Sequence, residues 1–168
     1  MTALRSLLFL LVAPGAAAFY VPVYVLSHGP RIIPQALAIL AIPLWAAGAA
    51  IILACYWEFL VRGKGTPAPI DPPRTLVISG LYRYVRNPIY VGLLLALAGH
   101  FSWFGTASLA FYSVGAFVAV HMFVILYEEP TLKRRFGAAY EEYLRTVPRW
   151  IPRLGMGETG GPSASRTV

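Results

Sequence analysis

GLYRYVRNPIYVG, Gly80–Gly92, interleaves aromatic and arginine side chains, meets a proline at Pro88 and then runs straight into an apolar helical pattern. Charged side chains this close to an apolar segment are costly in lipid unless they touch headgroups, water or a bound ligand. The stretch therefore reads as the floor of a ligand pocket at a bilayer surface. A second polar stretch, Tyr127–Arg153, follows the last apolar segment and would close that pocket from the other side.

Of the 168 residues, 58% are hydrophobic and 12% are charged, whereas a soluble domain carries about 25% charged residues. Mean hydropathy is +0.64. The chain reads as one integral membrane domain over residues 1–154, with a disordered Gly- and Ser-rich tail at 155–168. Its net charge of +7 does not point to nucleic acid, because the arginines lie beside apolar segments as the positive-inside rule expects. The single cysteine, Cys55, sits in an apolar run and has no internal disulfide partner. Three scattered histidines do not indicate a metal site.

Leu4–Leu26 is the first apolar segment. Leu7–Val12 and Ala16-Ala17-Ala18 imitate a signal peptide and its cleavage site. The run continues through Phe19–Leu26 to about the 20 residues that a span needs, which favours a retained helix kinked by Pro14 and Pro22. Ser27–Arg31 is a turn in which His28 and Arg31 read as solvated. Pro34–Val61 is a second span, broken by Pro43, whose small residues Ala46–Ala50 permit close helix approach. Glu58 near its end either pairs with Arg62 at the interface or walls a pocket. The proline-dense linker Arg62–Ser79 cannot form a regular helix.

Pro88 should open a short third span, Ile89–Phe101, in the first helical turn. Ser102–Thr106, with Gly105, reads as a tight hairpin into a fourth span, Ala107–Tyr127. Beyond Glu128-Glu129-Pro130, the residues Leu132, Phe136, Tyr140, Tyr143, Leu144 and Val147 recur at helical spacing. They predict one amphipathic helix that Pro148 stops, followed by Trp150 and Ile151 as an interfacial anchor. The expected fold is thus an all-α membrane protein with about four transmembrane helices plus a cytoplasmic amphipathic C-terminal helix. Lysines and arginines concentrate in the second loop and the C-terminal region, which places both termini and both polar stretches on the cytoplasmic side.

Arg86 and Asn87 then come from one side of a mouth, Glu128 and Glu129 from the other. An arginine can hold a carboxylate or phosphate by a two-pronged contact. Paired glutamates can accept from ribose hydroxyls or an amino group, or stabilise a cation. Tyr82, Tyr84, Tyr90, Tyr140 and Tyr143 offer aromatic faces to a nucleobase or a sulfonium. His121 lies about two helical turns before Glu128 and is either a packing residue or a pocket wall. On composition alone, a plainer role as interfacial ion-pair anchors is favoured for all of these.

The two stretches resemble the isoprenylcysteine carboxyl methyltransferase and phospholipid methyltransferase superfamily of integral membrane enzymes. The matching positions are Arg86, Pro88, Tyr90 and Gly92, then Glu128, Glu129, Leu132, Phe136, Gly137, Tyr140, Tyr143, Val147, Pro148 and Arg149. They cover roughly the C-terminal half, about residues 76–154. Asn87 stands where the family usually has histidine; it keeps a donor and an acceptor but cannot titrate near neutrality.

The resemblance implies S-adenosylmethionine held by Arg86, Asn87, Tyr90, Gly92, Glu129 and Tyr140. It implies methyl transfer to a lipophilic small-molecule or lipidated acceptor, an isoprenylcysteine-type carboxylate or a lipid amine, with a small hydrophobic thiol or carboxylate also open. Arg149, holding an anionic acceptor, and Glu128 are the expected catalytic residues, with Glu58 and His121 as weaker candidates. Gly92 and Gly137 would let backbone approach the ligand or would serve helix packing. Two rivals remain: an NADPH-dependent membrane reductase of the sterol-reductase type, which shares a similar Arg-His-Pro region, and a non-enzymatic adaptor gripping anionic membrane lipid through its basic loops.

Overall fold

The computed structural model describes residues 16–59, 61 and 75–152. The signal-peptide-like start, the linker from Arg62 to Arg74 and the tail at 155–168 lie outside the described residues. Within them the chain is helical, with a single isolated bridge between Arg31 and Thr106. The helices are α1 (Ala16–Val25), α2 (Gln35–Glu58), α3 (Pro88–Phe104), α4 (Ala107–Phe136) and α5 (Ala138–Thr146). Of these, α2 and α4 are long and apolar enough to cross a membrane, while α1 and α3 are apolar but shorter. At 1.5 Å per residue, α3 is about 26 Å long against a hydrocarbon core of about 30 Å.

Proline decides how several of these helices are wound. α1 carries Pro22 inside it and is π-wound throughout, because the ring removes one ladder donor and crowds the preceding turn. Pro43 does not break α2, contrary to the sequence expectation. The helix begins as 3-10 turns over Gln35–Leu40 and becomes α-helical at Ala41. Pro43 falls where the ladder is already being reset. Pro88 opens α3 as expected.

α3 is the central helix, packing against α1, α2 and α4. Its contact with α2 depends on missing side chains: a Cβ on Gly48 would lie 2.7 Å from the Gly92 carbonyl oxygen, and one on Gly92 would lie 2.9 Å from that of Gly48. Trp45 packs over Gly99, and His100 is buried with Nδ1 2.7 Å from the Ala96 carbonyl oxygen.

The α3–α4 turn is as tight as expected. Gly105 caps α3 in the left-handed region with φ of 69°. Arg31 is no solvated loop residue: its guanidinium donates to the carbonyls of Ser102 and Trp103, neutralising the electronegative end of α3. Thr106 and Ser108 hydroxyls both donate to the Leu26 carbonyl, at 2.8 and 2.9 Å.

The single amphipathic helix predicted after Pro130 is corrected in two ways. First, α4 runs through Pro130 without stopping, because a π-turn at Val124–Glu128 absorbs the lost hydrogen bond just before the ring. Second, the chain turns a corner at Gly137, with φ of 53° and ψ of −129°, and restarts as α5. Only glycine adopts that backbone cheaply. α5 buries Tyr140, Tyr143 and Val147 against Leu76, Leu132 and Phe136.

The helix crossing yields a test. Gly92→Ala should destabilise the protein by about 1–3 kcal/mol, as overpacking does. Gly115→Ala, whose Cβ would meet nothing within 4 Å, should be neutral or up to about 1 kcal/mol stabilising. Thermal unfolding in detergent reads both.

Candidate active site

The Gly80 stretch is clamped before it reaches α3. The Ser79 hydroxyl donates to the Glu58 carboxylate at the end of α2. Gly80, with φ of 56°, passes so close that a Cβ would lie 2.8 Å from the Glu58 side chain. Glu58 therefore seats this turn; the pairing with Arg62 lies outside the described residues. Tyr82 is buried with Cys55 and Val77, its carbonyl accepts from the Tyr143 hydroxyl at 2.7 Å, and burial pushes both phenols well above their ordinary range. Tyr82 and Tyr143 are thus structural, whereas Tyr84 is exposed.

So held, the stretch projects Arg86, Asn87 and Tyr90 at the start of α3 toward the two glutamates of α4. Arg86 Nη1 donates to Glu129 Oε1 at 2.9 Å. Arg149 grips the same carboxylate with a fork, Nε to Oε1 at 2.7 Å and Nη2 to Oε2 at 2.9 Å. Tyr90 donates its hydroxyl to Glu128 Oε2 at 3.0 Å. Tyr140, 3% exposed, faces the cluster; burial and the charge of Glu129 push its phenol up to about 12, so it stays a donor near neutrality.

The segment after α5 closes the cluster like a strap. The Arg86 amide donates to the Pro148 carbonyl at 2.9 Å, and Asn87 Nδ2 donates to the Arg149 carbonyl at 3.2 Å. Asn87 is the residue preceding α3, but its side chain holds the strap rather than the helix end. Trp150, read from sequence as an interfacial anchor, donates Nε1–H to His121 Nδ1 at 3.0 Å. His121 also stacks on Phe117, so it pins the strap to α4. No sequence signal links positions 121 and 150.

Seven of the eight expected site residues thus meet at one end of the bundle: Arg86, Asn87, Tyr90, Glu128, Glu129, Tyr140 and Arg149. Gly92 lies apart, one turn further along α3, at the contact with Gly48. One group in the cluster is unsatisfied: Arg86 Nε is buried with no partner among the described residues. A buried orphan donor calls for an explanation, and an anionic or oxygen-rich ligand supplies one.

The profile of the family described as phospholipid methyltransferase matches residues 36–139, more than half of the chain. The chain belongs to the phospholipid methyltransferase family. It is 37% identical over 81 residues to methanethiol S-methyltransferase 2 of Bradyrhizobium diazoefficiens, a match covering 44% of this chain and 27% of the relative. It is 36% identical over 90 residues to protein-S-isoprenylcysteine O-methyltransferase of Schizosaccharomyces pombe, covering 47% of this chain and 34% of the relative. The matches thus span about a third or less of each curated relative. The family range includes Arg86, Glu128 and Glu129, nearly all of α2 and the whole of α3 and α4, but ends before the strap.

Glu129→Gln should lower the melting temperature by the equivalent of about 2 kcal/mol, since it leaves two guanidiniums facing each other in a partly buried site. Glu141→Gln, which breaks only the exposed pair with Lys133, should leave it unchanged. Equal effects of the two would show that the Glu129 cluster carries no stability.

Proposed function

We propose that this family member is an integral membrane enzyme that transfers a methyl group from S-adenosylmethionine to an apolar acceptor arriving through the bilayer. In this reading its four apolar helices span, with both termini and the site on the cytoplasmic side. The supporting observation is the convergence of Arg86, Glu129 and Arg149 from three parts of the chain, with the buried Arg86 Nε–H left without a partner among the described residues.

The residues fit the polar parts of that donor. Arg86 offers charge-assisted donors to an amino-acid carboxylate. Glu128 and Glu129 can accept from ribose hydroxyls or an amino group, and the Tyr140 and Tyr90 rings can face a base or a cation. Asn87 adds an amide, and Gly92 serves by letting α2 close against α3. When bound, the group supplies an electrophilic methyl on a sulfonium.

This chain's own contribution is placement. Orienting two reactants can be worth about 10⁵ M in effective concentration or more. With two of its donors on Glu129, Arg149 serves to fix that carboxylate, a role different from the acceptor grip expected of it. Glu128, oriented by the Tyr90 hydroxyl, is the group placed to take a proton from an acceptor that must lose one. One relative's name specifies a thiol and the other an isoprenylated cysteine, both of which partition into apolar surroundings.

S-adenosylhomocysteine should raise the melting temperature by mass action, NADPH should not, and Arg86→Ala should abolish the shift. Stabilisation by NADPH alone would favour a reductase; salt-sensitive lipid binding with neither nucleotide would favour an adaptor. With labelled donor and a membrane extract, Arg149→Ala should cut methyl transfer by about tenfold or more, about 1.4 kcal/mol. Wild-type turnover in that variant would remove Arg149 from the reading.

A further inference from the structure

A ligand that meets Arg86 Nε must first reach it. The side chains of Arg86 and Glu129 are only 12% and 15% exposed, and Asn87 and Tyr140 are buried. Three sides of the cluster are fixed. The α3–α4 turn is locked by Thr106 and Ser108, and α5 is held by the burial of Tyr140, Tyr143 and Val147. The remaining side is the strap, residues 148–152, which has neither helix nor strand and carries Ile151 at 79% exposure. A segment with few buried apolar contacts opens at the lowest cost.

Three of the strap's hydrogen-bonded ties fall on the cluster itself. The Arg86 amide donates to Pro148, Asn87 Nδ2 to the Arg149 carbonyl, and the Arg149 fork to Glu129. A ligand that draws on Asn87 or Glu129 competes directly with two of them. The tie from Trp150 to His121 Nδ1 stands outside that set. The indole also lies tilted against Phe117 and His121, with ring centroids 5.4 and 5.9 Å away. Those two residues are four apart on α4 and share a face, so they form one seat for the indole. An indole N–H only donates, so His121 Nδ1 must supply the lone pair.

We propose that residues 148–152 are the gate through which a water-soluble methyl donor enters and its product leaves, and that Trp150 and His121 are the positioning residues that latch it. The inference rests on the methyl-transfer reading above. Lying outside the ligand's contacts, the latch keeps its strength whether the site is empty or filled. It therefore sets how often the strap opens in both states. It also keeps Arg149 over the cluster when a ligand has displaced the inner ties.

The test uses the full chain and two readouts. One is hydrogen exchange at the Arg86 amide without ligand, which reports strap opening; the other is the release rate of labelled S-adenosylhomocysteine. His121→Phe and Trp150→Phe keep a ring and remove the hydrogen bond, and each should speed both readouts about two- to tenfold, the worth of one such bond. The double variant should be no faster than either single one, because both act on one contact. His121→Asn, which restores an acceptor, should return both readouts toward wild type. Ile151→Ala, at an exposed strap position, should change neither. If ring packing alone mattered, His121→Phe would be benign and His121→Asn harmful, and that order would overturn the latch. Unchanged release in both ring-keeping variants, with S-adenosylhomocysteine still bound, would overturn the gate and leave the methyl-transfer reading standing. Failure of the wild type to bind S-adenosylhomocysteine would remove that reading and the gate with it.

Discussion

One carboxylate held by two guanidiniums organises this end of the molecule. Glu129 accepts three charge-assisted hydrogen bonds, one from Arg86 and two from Arg149, in a site partly withdrawn from water. Such a group is expensive to leave with a partner missing. The start of α3, the continuation of α4 and the strap after Pro148 must therefore assemble together. The other unusual contacts serve that assembly. Glu58 seats the turn before α3, Tyr143 holds the Tyr82 carbonyl, and Gly137 bends the chain so that α5 can bring Arg149 back.

The opposite end of the bundle is fixed independently. Arg31 and the paired hydroxyls of Thr106 and Ser108 lock the α3–α4 turn to the loop after α1. The Gly48–Gly92 contact fixes α2 against α3 between the two ends. With the spacing of α3 and α4 set remotely, the cluster at their other end does not have to hold the helices together. Its polar groups can be disposed for a ligand.

Much of this was legible in the residues themselves, because it follows from local chemistry. Apolar runs give helices, Pro88 suits a first turn, Gly105 suits a left-handed cap, and small residues at 46–50 permit a close crossing. The meeting of Arg86 with Glu129 also follows once the third and fourth helices are read as a hairpin. What escaped depends on partners distant in sequence or on absence. Arg31 in a turn looks solvated until the carbonyls of Ser102 and Trp103 are beside it. Trp150 looks like a membrane anchor until His121 is opposite. The helical periodicity of Leu132 to Val147 conceals the corner at Gly137, since both halves keep their apolar faces inward. The space between α1, α3 and α4 is lined by leucine, alanine, valine and tyrosine side chains, and a gap between apolar side chains leaves no mark in a pattern of apolar letters.

The π-turn at Val124–Glu128 has a consequence for how this protein can vary. It accommodates one more residue than ordinary winding would, and each residue turns a helix by about 100°. Deleting one position there would return the segment to ordinary winding with its flanking turns in register, and would set the Pro130 ring against the carbonyl four residues before it. The extra residue is thus what lets α4 carry a proline without a break, while Val124, fully buried within the same turn, is held in size by its neighbours.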